Sequence, residues 1–372
     1  MGTKSTYLKR NWKLIVNIAT ITALLALLFL IRNQIIDTFN NLHRVNLWVI
    51  ALMVPLQVLN YHAQTKVYQH LFALVGNRLK YGPVFRVALE LNFVNHVFPS
   101  GGVSGISFFG LRLRGAHITG GKATLVQIMK LGLMFVSFEI LLLGGLVIMA
   151  ANGRTNNLVI LAAGSISTLL VVGTFAFVYV FGSARRIHGT FSLLTKGLNS
   201  LIRIVRPRKP DAISIDRVER VALEFHKNYK MIESKYRELK APFWWALVIN
   251  LTEVLSVYVV YVAFGEWVNL GAIILAYAVA NFAGLVSVLP GGIGIYEALM
   301  TGVLAASGIP AALSLPVTVM YRVLNTIIQV PPGYFLYHRS LLNLDKVAAE
   351  SIDTDVDDIA VLPSEPSKQP KS

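Results

Sequence analysis

The sequence predicts an all-α integral membrane protein that crosses the bilayer several times. Hydrophobic residues make up 55% of the 372-residue chain and charged residues only 14%, and the mean hydropathy is +0.59. Soluble domains carry about a quarter charged residues, so this composition excludes a typical soluble fold. About eight hydrophobic segments that can form membrane helices follow one another along the chain. They lie at residues 14–31, 47–65, 84–110, 123–150, 157–182, 243–264, 270–307 and 311–337.

Two of these segments, 84–110 and 270–307, are too long for one crossing, and each is interrupted by proline followed by paired glycines. Proline removes a backbone donor, and glycine tolerates dihedral angles that a helix does not use. In hydrocarbon the freed backbone groups need partners within the protein or in a wet cavity. Each segment is therefore predicted to form a re-entrant helical hairpin; a helix kink beside an ordinary loop is the alternative. The breaks contain Pro99, Gly101 and Gly102 in the first half and Pro290, Gly291, Gly292 and Gly294 in the second.

Lysine and arginine predict the orientation of the chain. In the loop after residue 182 they outnumber Asp and Glu more than twofold, which places this loop in the cytoplasm. Both termini are then cytoplasmic, and the two hairpins enter from opposite sides as a pseudo-inverted repeat. The predicted organisation is a basic N-terminus at 1–13, a membrane half at 14–182 with its break at 99–102, a basic cytoplasmic loop at 183–242, a second membrane half at 243–340 with its break at 290–294, and a disordered cytoplasmic tail at 341–372.

The basic loop contains apolar residues at spacings of three and four between Val218 and Leu239. This spacing predicts an amphipathic helix. Such a helix either lies on anionic headgroups or covers the inner ends of the membrane helices.

Charged residues inside apolar segments are candidates for function, because a charge at membrane depth is costly. Glu297 follows the second break by one turn, and Arg322 follows Tyr321 in the last segment, so we predict that Glu297 and Arg322 interact. The pair either fixes helix packing or binds a ligand, with the planar arginine fork on phosphate oxygens. Both readings stay open at this point. The full set of charged candidates is Glu90, Lys130, Glu139, Glu253, Glu297 and Arg322.

Several classes of function are disfavoured by what the sequence lacks. The absence of cysteine excludes disulfides, iron–sulfur clusters and thiol catalysis. No nucleotide-binding loop, zinc-protease motif or serine-hydrolase motif occurs, and the histidines are isolated. We therefore expect no enzyme activity, no cofactor and no metal. The net charge of +15 lies in loops beside membrane helices, where anionic lipid explains it without a nucleic-acid partner.

The residues around the breaks resemble the flippase-like transmembrane domain of the lysylphosphatidylglycerol synthases, over about residues 10–340. In the two-part synthases this domain is similar to a lipid flippase, and a soluble C-terminal domain transfers the aminoacyl group. The resemblance implies a stand-alone member without the aminoacyltransferase domain, in a prokaryotic cytoplasmic membrane. It is carried by Asn92 with Pro99-Ser100-Gly101-Gly102, by Pro290-Gly291-Gly292-Ile293-Gly294 with Glu297, and by Tyr321-Arg322 followed by Pro332-Gly333.

The first break departs from the synthase pattern, in which an acid and an arginine closely follow the glycines. This chain has Val103-Ser104-Gly105 there and reaches Arg112 only later. The departure favours a lipid substrate in general over aminoacylated phosphatidylglycerol in particular.

The sequence therefore predicts a flippase-like transporter that moves a polar-headed phospholipid or a lipid-linked precursor between leaflets. The alternative is a non-transporting lipid-binding accessory protein that docks a lipid-modifying enzyme through the basic loop. A cavity joining both breaks would favour transport. The expected substrate-binding residues are Asn92, Pro99, Gly101, Gly102, Arg112, Pro290, Gly291, Gly292, Gly294, Glu297, Tyr321 and Arg322.

Overall fold

The computed structural model describes residues 29–97, 103–113, 118–151, 157–183, 235–286 and 292–359, with single positions between 22 and 26 and between 185 and 189. Within these ranges all regular structure is helical. The first apolar segment, the tips of both breaks and most of the basic loop lie outside the described residues, and so does the amphipathic helix predicted from Val218, apart from its end.

The first half of the chain contributes seven described α-helices. A 3₁₀ turn at Leu42–Arg44 connects the first two of them. The helices are α1 (Arg32–Asn41), α2 (Leu47–Ile50), α3 (Met53–Leu74), α4 (Tyr81–Val97), α5 (Val103–Leu113), α6 (Gly120–Ala151) and α7 (Asn157–Phe181).

The second half begins with a 3₁₀ turn at Tyr236–Leu239, where the sequence predicts the end of the amphipathic helix. The described α-helices that follow are α8 (Lys240–Ala263), α9 (Leu270–Val286), α10 (Ile295–Ala306) and α11 (Ala311–Ile359).

Three described helical segments are long and apolar enough to cross a membrane: Gly120–Ala151, Tyr236–Ala263 and Ala311–Ser340. Their surfaces carry large apolar side chains that no other part of the described chain covers. Val147 on α6 is 69% exposed and Phe335 on α11 is 67% exposed. Lipid is the solvent that accepts such a surface, so the structure is that of an all-α polytopic membrane protein.

The two halves meet where α3 packs along α8. A large apolar core is formed by α6, α8, α9, α10 and α11, and a second one by α3, α4, α5 and α6. Glycine allows two of the closest helix contacts. A Cβ atom at Gly333 on α11 would lie 2.6 Å from Phe93 Cβ on α4, and one at Gly271 on α9 would lie 2.8 Å from Met149 Cγ on α6.

Both segments with breaks form helix pairs. Helix α4 ends at Val97 and α5 begins at Val103, and the two helices contact each other. Helix α9 ends at Val286 and α10 begins at Ile295, again in contact. Two short helices thus flank each break, as predicted; their depth in a membrane stays a prediction.

Three helices extend beyond the predicted segments. Helix α1 occupies residues that the sequence leaves outside the apolar segments, and α3 reaches Leu74 because Leu71 and Phe72 continue its buried face. Helix α11 contains Pro316, Pro331 and Pro332 and continues to Ile359. The sequence predicts a disordered tail from residue 341, but no proline or glycine lies between Gly333 and Pro363 to end the helix.

Candidate functional site around Glu297 and Arg322

Glu297 stands at the beginning of α10, directly after the second break. Its Oε2 accepts the backbone N–H of Gly294 at 2.7 Å, which caps the helix. Gly294 has φ +87° and Gly292 has φ +66°, angles that favour glycine. The glycines of the second break therefore set the backbone path that carries Glu297 into the protein, where only 5% of the residue is exposed.

Arg322 comes from α11 and forms an ion pair with Glu297, from its Nη1 to Oε1. The predicted interaction of these two residues is confirmed. The guanidinium also lies 4.8 Å from the centroid of the Tyr296 ring, within range of a cation–π contact. Oε1 of Glu297 additionally accepts the Gln34 amide of α1 at 2.8 Å. Three helices thus meet at one carboxylate.

A groove of about 680 Å³ opens beside this carboxylate, between α1 on one side and α10 and α11 on the other. Small and apolar residues line it from α10 and α11, together with Glu297 and Thr301, while polar residues of α1 line the opposite wall. The hydroxyl oxygen of Thr301 is buried there without a hydrogen-bond partner among the described residues. Gln34, Asp37, Asn41, Gly294, Glu297, Ala298, Thr301, Gly302, Ala305, Ala311, Leu315, Pro316 and Val319 line the groove.

The structure brings the flanks of both breaks together. Ile293, inside the second break, packs against an apolar cluster that contains Phe93, Val94 and Val97, the last residues before the first break. The residues lining the groove include the second break but none of the described residues of α4 or α5. This groove therefore does not join the two breaks, and a cavity that joins them is the arrangement that would favour transport over the accessory role.

Asn92 lies in a cluster of amide side chains rather than in the groove. Its Nδ2 donates to Tyr61 Oη at 2.6 Å and to Gln329 Oε1 at 2.8 Å. The Gln329 amide in turn donates to Gln57 Oε1 at 2.8 Å. Asn92 thereby connects α4 with α3 and α11 in the interior.

Arg112 contacts a different carboxylate. Its Nε donates to Glu90 Oε2 at 2.9 Å, and Ser340 donates to Glu90 Oε1 at 2.5 Å. Glu90 is 1% exposed, whereas the Arg112 side chain is 32% exposed. The ion pair joins α4 to α5, and the hydrogen bond from Ser340 joins both of them to α11.

Tyr321 turns away from the Glu297–Arg322 pair, and its hydroxyl donates to Glu253 Oε2 at 3.0 Å. Five of the predicted site residues, Pro99, Gly101, Gly102, Pro290 and Gly291, lie outside the described residues. Among the other seven, Gly294 and Glu297 line the groove, Gly292 precedes them in the second break, and Arg322 pairs with Glu297. Asn92 lies in the amide cluster, Arg112 contacts Glu90, and Tyr321 contacts Glu253. The described part of the chain holds no group of three His, Asp or Glu side chains that could bind a metal ion.

The sequence did not predict the contribution of α1. Gln34, Asp37 and Asn41 line the groove but fall between the first two apolar segments, where the sequence predicts no membrane helix. Ile31, Ile35 and Thr38 follow helical spacing on a buried or partly buried face, and this short pattern is the signal that could have identified the helix.

A family model described as the lysylphosphatidylglycerol synthase TM region matches residues 14–333, most of the chain. The chain belongs to this family. The match spans both hairpins and ends at Gly333, the residue that allows α11 to approach Phe93 of α4. Membership agrees with the resemblance that the breaks indicate and establishes the chain as a membrane domain.

Similar proteins are found among archaeal membrane proteins. A UPF0104 membrane protein of Methanothermobacter thermautotrophicus is 32% identical over 97 residues, which cover 26% of this chain and 29% of the relative. A UPF0104 membrane protein of Pyrococcus horikoshii is 24% identical over 131 residues, 34% of this chain and 39% of the relative. The matched regions thus span about a third of the length of these curated relatives.

Proposed function

We propose that this protein moves a polar-headed phospholipid or a lipid-linked precursor between the leaflets of a prokaryotic cytoplasmic membrane. The observation that carries the proposal is the groove beside Glu297: α10 and α11 give it a mainly small and apolar wall, α1 gives it a polar wall, and the carboxylate of the Glu297–Arg322 pair lines it next to Gly294 of the second break. An amphiphile has the same division, with apolar chains and a polar head. A volume of about 680 Å³ lies within the usual range of ligand sites, about 300–1,000 Å³.

The Glu297–Arg322 pair gives the polar end a defined chemistry. A phosphate oxygen can compete with Glu297 for the guanidinium, and an ammonium or hydroxyl group can compete with Arg322 for the carboxylate. Because each partner compensates the other, the resting protein avoids an unpaired charge at membrane depth. The headgroup would enter by exchange for one partner.

The orientation is part of the proposal. The basic loop and both termini lie in the cytoplasm, and the second hairpin enters from the outside. The accessory role through the basic loop concerns a region outside the described residues, so no contact of the described chain favours it.

Filling the groove provides the test. A Cβ atom at Gly302 would have no heavy atom within 4 Å, so Gly302→Leu adds bulk to the groove from a position where the backbone accepts a side chain. Gly164→Leu on α7 is the matched control, since Gly164 is also open and lies outside the groove. The protein is reconstituted in liposomes, and transfer of fluorescent phosphatidylglycerol between leaflets is measured.

We expect wild-type protein and Gly164→Leu to accelerate transfer over protein-free liposomes, and Gly302→Leu to lose most of this acceleration. Equal rates for wild type and Gly302→Leu would exclude the groove as the lipid site. If wild-type protein gives no acceleration with phosphatidylglycerol, phosphatidylethanolamine or polyprenyl phosphate probes, the transport proposal fails.

A further inference from the structure

A chain of hydrogen bonds inside the protein connects two ionisable residues that do not touch each other. Lys130 Nζ on α6 donates to Gln64 Oε1 at 2.8 Å, and Gln64 Nε2 donates to Asn60 Oδ1 at 2.7 Å. Asn60 Nδ2 donates to Glu253 Oε1 at 3.1 Å. Glu253 Oε2 accepts the Tyr321 hydroxyl. The chain therefore runs from the first membrane half, across the α3–α8 contact, to the residue next to Arg322.

Glu253 has no cation within ion-pair distance among the described residues. Its two hydrogen-bond partners among the described residues are neutral, the Asn60 amide and the Tyr321 phenol. Lys130 likewise contacts the Gln64 amide and the Tyr68 hydroxyl, with its Nζ 4.6 Å from the centroid of the Tyr68 ring. Two amide side chains separate the carboxylate from the ammonium, so neither charge is compensated by direct contact.

The other titratable groups near Glu253 are phenols. Helix α2 contributes no titratable side chain to the surroundings of Glu253. The charged side chains of Glu297 and Arg322 are paired with each other. The groups that face Glu253 from the helices around it are Tyr61 on α3, Lys130 on α6 through the two amides, Tyr277 on α9, Tyr296 on α10 and Tyr321 on α11.

An uncompensated charge at the centre of a membrane helix costs about 2.5–3.5 kcal/mol on insertion scales. Glu253 removes this cost by taking up a proton, and part of the residue stays uncovered by the rest of the described chain. The same contacts suit both forms. Ionised, the carboxylate accepts from Asn60 and from Tyr321. Protonated at Oε2, it donates to the Tyr321 oxygen, and the hydrogen bond reverses direction.

We propose that Glu253 is a proton-binding site that couples lipid movement to a proton gradient. This inference rests on the proposed transport function. A proton from water on one side of the membrane binds Oε2 and leaves to water on the other side. The reversal of the Tyr321 hydrogen bond is transmitted along α11 to the adjacent Arg322, and hence to the pair with Glu297.

Reconstituted full-length protein with fluorescent phosphatidylglycerol as the probe tests the coupling. The transfer rate is measured with a pH gradient in each direction and with the gradient collapsed by a protonophore. We expect the two directions to differ by at least about fivefold in the wild type, the lower end of common coupling strengths. Glu253→Gln keeps a polar side chain of similar size but cannot titrate, and should make the two rates equal.

Glu139→Gln on α6 is the matched control, since it removes a membrane-segment carboxylate that takes no part in the described hydrogen-bond chain. It should keep the wild-type gradient dependence. If Glu253→Gln does not fold, Tyr321→Phe serves instead: it removes the reversible hydrogen bond and should shift the pH at which transfer is half-maximal. If the wild-type transfer rate does not depend on the pH gradient, the proton proposal is overturned and the transport proposal still stands.

A second measurement does not depend on transport. Infrared difference spectra between high and low pH contain the bands of all carboxyl groups that take up a proton. One component of the wild-type carboxyl band should remain in Glu139→Gln and be missing in Glu253→Gln. A carboxyl band in Glu253→Gln that is identical to the wild-type band would overturn the inference. Absence of transfer together with a Glu253-dependent band would refute the transport proposal alone.

Discussion

Removing the charge of Glu297 should destabilise the protein more than removing the charge of Arg322, and removing both should cost less than removing Glu297 alone. Breaking a buried ion pair from one side costs about 3–5 kcal/mol, because the remaining charge stays buried. The Arg322 side chain is 17% exposed, so the lower end, about 3 kcal/mol, applies to Glu297→Gln.

The two partners differ because Glu297 also caps α10. After Arg322→Gln, the carboxylate keeps the Gln34 amide, the Gly294 N–H and the positive end of the helix dipole, so we expect a loss of about 2 kcal/mol. In Glu297→Gln/Arg322→Gln no charge is left, and only the cap and one polar contact are weakened. Its loss should be about 1–2 kcal/mol.

Unfolding free energies from SDS titration in mixed micelles provide the measurement. Glu266→Gln, at an exposed loop position, is the control and should stay within about 0.5 kcal/mol of wild type. Losses that simply add in the double variant would refute a direct interaction. Reversing both charges is a weaker test than neutralising them, because an arginine at position 297 cannot cap α10.

The same variants separate packing from ligand binding. If the pair only fixes the helices, the double variant should regain lipid transfer along with stability. If the pair meets the headgroup, stability returns and transfer does not.

Three further predictions follow from the fold. Gly333→Ala should lower the unfolding free energy by about 1–3 kcal/mol because the added methyl would overlap Phe93, whereas Gly144→Ala, with no atom within 4 Å, should not destabilise the protein. Gly292→Ala should cost about 1–2 kcal/mol, since φ is +66° there, and a variant as stable as wild type would show that the second break tolerates a side chain. Cysteines introduced in the cytoplasmic regions should resist impermeant thiol reagents in intact cells, while one in the loop before α7 should react; labelling of the basic loop from outside would overturn the orientation. The positions are Ser5, Ser192 and Ser351 for the cytoplasmic regions and Asn156 for the outer loop.

Hydropathy predicted the long helices closely. The predicted segment 123–150 corresponds to helix Gly120–Ala151, and the predicted segment 157–182 corresponds to helix Asn157–Phe181. The agreement is close because a continuous apolar surface is sufficient to define a membrane helix. The Glu297–Arg322 contact was also predictable, since two charges in neighbouring apolar segments are less costly together than apart.

Uncharged polar residues were harder to recognise. Asn60, Gln64 and Gln329 lie in or beside apolar segments and carry no charge, so a search for costly charges overlooks them. Their importance comes from partners on other helices: Asn60 connects to Glu253, and Gln329 to Asn92. Such contacts depend on how helices are arranged in space, which the spacing of residues along one segment does not specify.

The adjacent prolines of α11 give this helix a point of mechanical weakness. Pro331 and Pro332 have no N–H, so the carbonyls of Ile327 and Ile328 lack their helical donors. Bending at this level therefore breaks fewer backbone hydrogen bonds than it would in an uninterrupted helix. The segment after the prolines contacts α4 at Gly333, while the segment before them carries Arg322. A bend at the prolines would change the angle between the part of α11 that contacts α4 and the part that holds the guanidinium.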